Sequence, residues 1–169
     1  TKNIKEACLE TEVPYIRLLR KPVQKEDGLV YVSSIEEGVR FVEKTEGNIL
    51  ITTGSKELAA YTKLTDYRNR CYARVLSTKE SVEESVRLGL EGDHLIAMQG
   101  PYSEEMNIAT IHHVKAAYLI TKESGSAGGF EDKARAAAKT GTVLVVVERP
   151  KEEGSTFEET VERIRACSL

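Results

Sequence analysis

Hydroxyl groups, glycines and cations recur along this chain in short clusters, and each cluster follows an apolar run. Thr52-Thr53-Gly54-Ser55-Lys56 is the first and Ser77-Thr78-Lys79 the second. Gln99-Gly100-Pro101-Tyr102-Ser103 is the third. Thr121-Lys122-Glu123-Ser124-Gly125, with Gly128-Gly129 after it, is the fourth, and Glu148-Arg149-Pro150 the last. Glycine lets backbone N–H groups come close to a ligand. A helix start offers unpaired N–H groups and the positive end of a dipole. Lys56, Lys122 and Arg149 add full charges. Such a set suits the binding of anions, either phosphate or carboxylate. Each cluster also has an ordinary reading: Ser55, Ser77 and Ser103 as helix N-caps, Gly54 and Gly100 as turn residues, Lys56 as a solvated side chain. The stretch from Thr121 to Gly129 reads as more than a connection.

The apolar runs explain why the clusters belong together. Asn48–Thr52, Tyr72–Leu76, His94–Met98, Ala117–Thr121 and Thr142–Val147 alternate with longer amphipathic segments, the βαβα rhythm of a parallel sheet covered by helices. TVLVVV is continuous and β-branched, as a strand buried on both faces should be. The spacing predicts a helix over 79–89 with Val82 and Val86 inward, behind a capping box of Ser77 and Glu80. It predicts another over 104–114, with Met106, Ala109 and His113 on one stripe and His113 packed. An alanine-rich helix over 130–140 should end at Gly141. Thr156 and Glu159 form a capping box for a last helix carrying Phe157, Val161 and Ile164. The expected fold is therefore α/β: a Rossmann-like parallel sheet of about five strands with helices on both faces, and right-handed connections. Ligands of such a sheet bind beyond the carboxyl ends of the strands, and all the clusters fall there.

The segment before Gly47 departs from this rhythm. Lys2–Glu10 reads as a helix, Tyr15–Leu19 as a strand after Pro14, Leu29–Val32 as a short apolar run. Ser34 and Glu37 then cap a helix carrying Ile35, Val39 and Val42.

With 169 residues, of which 40% are hydrophobic and 30% charged, the chain can bury a core without disulfides or metal. A net charge of -3 argues against bulk attraction to nucleic acid or an anionic membrane. Cys8, Cys71 and Cys167 form no CxxC pair, which fits reduced thiols in the cytoplasm. No apolar run nears the roughly 20 residues of a membrane span, and no signal peptide is visible. The P-loop pattern and GxGxxG are both missing. His112 and His113 are adjacent and point to different sides of a helix, so no metal pair arises and no metal is expected.

Taken together, the motifs resemble the precorrin-6A reductase family. Gly100-Pro101-Tyr102-Ser103-Glu104-Glu105-Met106-Asn107 resembles that family's GP[FY]SxExN segment. Ile120-Thr121-Lys122-Glu123-Ser124-Gly125 with Gly128-Gly129 resembles its [VL]TK[DN]SG…GG. Leu50-Ile51-Thr52-Thr53-Gly54-Ser55-Lys56 resembles LxTTGSK, Arg149-Pro150 the closing RP, and Pro14-Tyr15 through Arg20-Lys21-Pro22 the P-x-x-R…RP element. The order is the family's and covers nearly the whole chain.

The resemblance implies hydride transfer from NADPH or NADH to one C=C bond of a corrin precursor, a polycarboxylate tetrapyrrole, between two Rossmann-like domains. It implies cofactor contacts at Thr53, Gly54, Ser55, Lys122, Ser124 and Gly125. Substrate contacts would fall at Lys56, Gly100, Ser103 and Arg149. Lys122 and Tyr102 are the side chains nearest to a catalytic role, with Tyr102 or bulk water as proton source. The family's opening GGTxE segment and its ATHPYA-like segment are not in this sequence. On that ground 1–46 reads as the remnant of an N-terminal α/β domain with its connection, 47–169 as the C-terminal Rossmann-like domain, and the missing N-terminal domain as part of the full protein. The competing readings are a non-redox anion-binding α/β domain and another tetrapyrrole enzyme such as a uroporphyrinogen synthase.

Overall fold

The residues of Val143–Val147 are apolar on both sides of the strand, so they must be covered on both faces and paired on both edges. The computed structural model, which describes residues 2–19, 25–123, 129–149 and 154–167, meets both demands. Its strands are β1 (Val30–Val32), β2 (Asn48–Ile51), β3 (Cys71–Val75), β4 (Leu95–Ala97), β5 (Ala116–Lys122) and β6 (Val143–Val147). Its helices are α1 (Lys2–Glu10), α2 (Ile35–Glu43), α3 (Leu58–Tyr61), α4 (Tyr67–Arg70), α5 (Lys79–Arg87), α6 (Glu104–Val114), α7 (Phe130–Thr140) and α8 (Phe157–Cys167). The chain divides into two units, residues 25–150 and residues 1–24 with 151–169.

In the larger unit the strands run in the order β1-β6-β5-β2-β3-β4, and every pairing is parallel. From β2 the chain winds outward to β3 and β4, then crosses over β2 to β5 and β6. That is the doubly wound order, with its switch point between β2 and β5. The expected α/β fold with helices on both faces is present, with one strand more than expected. Val30–Val32 joins the sheet as β1, its Val30 level with Val145 of β6.

Side-chain alternation sends two sets of residues to the two faces. Ile49, Ile51, Ala73, Val75, Ile120 and Val145 pack with Ile35, Val39 and Val42 of α2 and with Leu58, Tyr61 and Leu90. Leu50, Leu119, Leu144 and Val146 pack with Ile111 and Val114 of α6 and with Phe130, Ala134 and Ala137 of α7. Burial of each large aliphatic side chain contributes about 1.5–3 kcal/mol. Two carboxylate links hold α6 beside α7: Glu104 accepts from Arg135 at 2.9 Å and lies 2.5 Å from the Lys139 ammonium.

Several caps follow the sequence. The Ser34 hydroxyl accepts from the Glu37 amide, and Gly141 closes α7 at φ 70°. Two helices turn differently from expectation. In α5 the cap is Thr78, accepting from Ser81 N, and the buried face is Ser81 and Ser85, while Val86 is 43% exposed. In α6 the buried stripe is Asn107, Thr110, Ile111 and Val114; Met106 is 41% exposed and both histidines face outward. His113 is thus a surface residue, not a packed one. Small or hydrogen-bonded polar side chains let these helices lie close to the sheet, and each one is satisfied there. Ser85 donates to Ser81 O at 2.7 Å and Thr110 to Met106 O at 2.7 Å.

In the smaller unit, Tyr15–Leu19 forms no extended strand; Leu18 makes a single parallel bridge with Ser155. Leu19 N donates to Ser155 O at 2.9 Å and Ser155 N to Arg17 O at 2.8 Å. The capping box before α8 is reciprocal, with Thr156 N donating to Glu159 Oε2 and Glu159 N to Thr156 Oγ1.

Gly47 enters β2 at φ 97°, and a Cβ there would lie 2.8 Å from that of Ala117. Gly47→Ala should therefore destabilise the protein by about 1–3 kcal/mol. Gly92→Ala is the control: its φ is also positive, at 56°, but nothing lies within 4 Å of the added carbon. Urea midpoints at unchanged slope check both. Equal midpoints for the two variants would contradict the clash.

Candidate functional site

Beyond the carboxyl ends of β2, β3 and β4 lies a cavity of about 320 Å³. Thr52 and Gly54 line it from the end of β2, Arg74, Val75 and Leu76 from β3, Gln99 to Tyr102 from the loop after β4, and Lys133 from α7. Two of the sequence clusters, Thr52–Lys56 and Gln99–Ser103, meet here with the end of β3, together with two cations that lie outside every cluster.

Arg74 sits inside β3, on the face that α6 and α7 cover, and is 4% exposed. Its Nη2 donates to Asn107 Oδ1 at 2.8 Å, and its guanidinium lies over the Tyr102 ring, 4.0 Å from the centroid. Its Nε and Nη1 have no hydrogen-bond partner among the described residues. Burial pushes the guanidinium down to about 10, far from the usual arginine range. A buried charge with unmatched donors is unfavourable for the fold. Lys133, on the first turn of α7, is 8% exposed. Burial first, and the charge of Arg74 second, lower its ammonium to about 8.

The frame around Arg74 is rigid. Asn107 is buried and donates its amide to Ser103 O at 2.8 Å and Tyr102 O at 3.3 Å, which fixes the oxygen toward Arg74. Tyr102 donates its hydroxyl to Met98 O at 2.6 Å, and Met98 N donates to Val75 O at 3.0 Å. The Tyr102 hydroxyl hydrogen is thus engaged by a carbonyl, and desolvation raises its pKa. At Gly100, a Cβ would come 3.1 Å from the Tyr102 ring. Glycine here lets the ring lie against its own loop.

The residues singled out by the sequence divide by position. Gly54 borders the cavity at φ 96°, with open space where a side chain would be. Gly100 and Tyr102 border it as well. Thr53 is buried, its hydroxyl 3.4 Å from that of Tyr61, and Ser55 donates to Ser81 Oγ at 3.1 Å. Both hydroxyls are already engaged within the fold. Ser103 caps α6, accepting from Met106 N. Lys56 is exposed. Lys122 ends β5 and makes a part-exposed ion pair with Glu57 at 2.6 Å. Arg149 follows β6 and donates from Nε to Glu123 O at 3.0 Å, while its buried Nη2 has no partner among the described residues. Ser124 and Gly125 lie outside the described residues. Among those described, no group of His, Cys, Asp and Glu side chains is placed to hold a metal ion, and no helix is long and apolar enough to cross a membrane.

Sequence reasoning missed Arg74, Lys133 and the inward amide of Asn107. The signal for Arg74 was present: a cation in the middle of the apolar run Cys71–Val75 is anomalous for a strand covered on both faces. Nothing comparable marks Lys133, one polar residue among several at the start of α7.

The lowered pKa of Lys133 sets a direction. Below about 8 both folded and unfolded chains hold the proton, and burial of the charge weakens the fold in full. Between that value and the ordinary lysine range the unfolded chain binds more protons, so stability rises with pH across this window. Lys133→Met should be the more stable protein at neutral pH, and its advantage should shrink as pH rises from about 8 toward 10. Denaturant titrations across that range check this; a constant difference would contradict it.

Residues 1–166 match the family described as Precorrin-6x reductase CbiJ/CobK. The cobalt-precorrin-6A reductase of Priestia megaterium is 36% identical over 170 residues, which cover 95% of this chain and 66% of that protein. That of Methanothermobacter thermautotrophicus is 36% identical over 156 residues, covering 89% of this chain and 50% of the relative. The solved structure of a CobK precorrin-6A reductase has the same fold, with a TM-score of 0.71 at 17% identity over 97% of this chain and 66% of that one. The chain thus spans about half to two thirds of the length of these relatives. With nearly all of its residues matched, it belongs to the precorrin-6x reductase family.

Proposed function

We propose that this chain is the larger part of an oxidoreductase of corrin biosynthesis, which reduces one C=C bond of precorrin-6A or cobalt-precorrin-6A at the expense of NADPH or NADH. Family membership supports the reaction class. The observation that carries the reading is the meeting of two separate sequence clusters, after β2 and after β4, with the end of β3 around one cavity beside the switch point of the sheet. Membership also favours this reading over a non-redox anion-binding domain or a uroporphyrinogen synthase.

Bound nicotinamide supplies a hydride. The chain's own residues bind, orient and exclude water. Gly54 leaves backbone open to a ligand where any side chain would intrude, which fits a phosphate-bearing cofactor. In this reading Thr53, Gly54, Ser55, Lys122, Ser124 and Gly125 hold the cofactor, and Lys56, Gly100, Ser103 and Arg149 hold the polycarboxylate substrate. Arg149 has a buried nitrogen without a partner among the described residues, with which to meet an acetate or propionate arm. Thr53 and Ser55 act mainly by shaping the loop, since their hydroxyls are bound to Tyr61 and Ser81. Lys122 must exchange its Glu57 partner for a ligand, an exchange that a part-exposed pair allows at little cost.

The remaining third to half of the relatives' length belongs, in this reading, to an N-terminal domain that completes the site. In this reading the segment before residue 25 is the tail of that domain, since β1 and α2 belong to the sheet unit, and the protein works in the cytoplasm.

The full-length protein should oxidise reduced nicotinamide only when the corrin precursor is added, followed by the loss of cofactor absorbance. No consumption with either cofactor would sink the reading. Lys122→Ala should weaken cofactor binding about tenfold, roughly 1.4 kcal/mol. Unchanged affinity and turnover would remove Lys122 from the site.

A further inference from the structure

Arg74 is difficult to explain as a structural residue. The interior of a parallel sheet favours apolar side chains, and buried arginines elsewhere are paired with carboxylates or carbonyls that use up their donors. Among the described residues one nitrogen of three reaches a protein acceptor, and that acceptor is a neutral amide. The other charged side chain in the described lining of the cavity is also a cation, Lys133, which makes the burial of both worse. The surroundings nonetheless hold the guanidinium in place: Asn107 on one nitrogen and the Tyr102 ring against its face. The group is fixed, desolvated and short of an anion.

We infer that Arg74, held by Asn107 and Tyr102 and assisted by Lys133, is the anchor for a single oxyanion group of the ligand, a carboxylate or a phosphate. The cavity opens at the carboxyl ends of the strands, where ligands of this architecture sit, and its described lining contains no carboxylate that would compete. Preorganised donors in a desolvated site bind an oxyanion far more strongly than surface cations do. The fold tolerates an unfavourable charge in the ligand-free state, and the ligand relieves it. This assignment rests on the proposed reductase reading only for the identity of the ligand. A carboxylate arm of the tetrapyrrole and a phosphate of the cofactor present the same chemistry to Arg74.

The test uses the full-length protein as wild type, Arg74→Met and Asn107→Asp. Methionine fills the space with no charge, so Arg74→Met should melt higher than wild type without ligand. Asn107→Asp sets a carboxylate of the same shape against Arg74 and answers its charge from within. Affinities for NADPH and for the isolated corrin precursor are measured by fluorescence titration. Thermal shifts are measured with inorganic phosphate.

Arg74→Met should lose on the order of a hundredfold in affinity for one of the two ligands, and Asn107→Asp at least tenfold for the same one. A loss confined to NADPH assigns the anchor to a cofactor phosphate; a loss confined to the corrin precursor assigns it to a substrate carboxylate. Folded Arg74→Met protein that binds both ligands like wild type would overturn the inference. Should Arg74→Met fail to fold, unchanged affinities in Asn107→Asp would overturn it instead. If wild type binds neither ligand, the reductase reading fails by itself. The anchor then stands if phosphate raises the melting point of wild type but not of Arg74→Met, and falls if it shifts both alike.

Discussion

The central strand β2 is paired on both edges, with β3 on one side and β5 on the other, and covered on both faces. A backbone in that position has no water to bond, so its polar groups must all be met by neighbouring strands. The consequence spreads outward. Parallel neighbours need long crossovers, the crossovers become helices, and the helices seal the faces. Polar chemistry is then confined to the rim where the strands end. Thr52 shows the transition, for its backbone N–H and its hydroxyl both donate to Ile120 O at 2.9 Å, closing the ladder just before the loop begins.

Arg74 is the exception to that confinement, and its position explains why it is instructive. One residue further along β3, Val75 belongs to the other apolar cluster, with Ile35, Val39 and Val42 of α2. Arg74 faces α6 and α7, where Asn107 and Lys133 stand at the edge of an apolar cluster. The covering helices are arranged to match: α6 turns an amide inward and the loop before it brings an aromatic ring across the guanidinium. A general hydrophobic pattern would not require either feature.

Much of this was legible from the residues alone. The apolar runs located the central strands, because strands covered on both faces are continuous rather than alternating. Ser34, Gly141 and the pair Thr156–Glu159 placed helix ends, since a cap is a local matter of one side chain and one or two amides. The faces of α5 and α6 were not legible. Ser81, Ser85 and Asn107 are buried because they hydrogen-bond within their own helices or to an adjacent strand, and hydrophobic periodicity gives such positions no weight. β1 was missed as part of the sheet for another reason: three residues make too little pattern, and their partner lies far along the sequence. Arg74 was visible as an oddity inside a strand, yet only the fold brings Asn107, Tyr102 and Lys133 to it.

The pairing of β1 with β6 has a consequence for how the molecule is made. The strand that leaves the ribosome first among the six must wait for the one that leaves last, since Val30 finds its place only beside Val145. A growing chain can assemble β2, β3 and β4 as it emerges, but the hydrogen-bonding edge of β1 has no partner until synthesis of the sheet is finished. Closing so long a loop is slow compared with local pairing. The order of synthesis therefore makes this outer strand the final piece of the sheet to dock, and a partly synthesised chain carries an unprotected β edge that invites pairing with other chains.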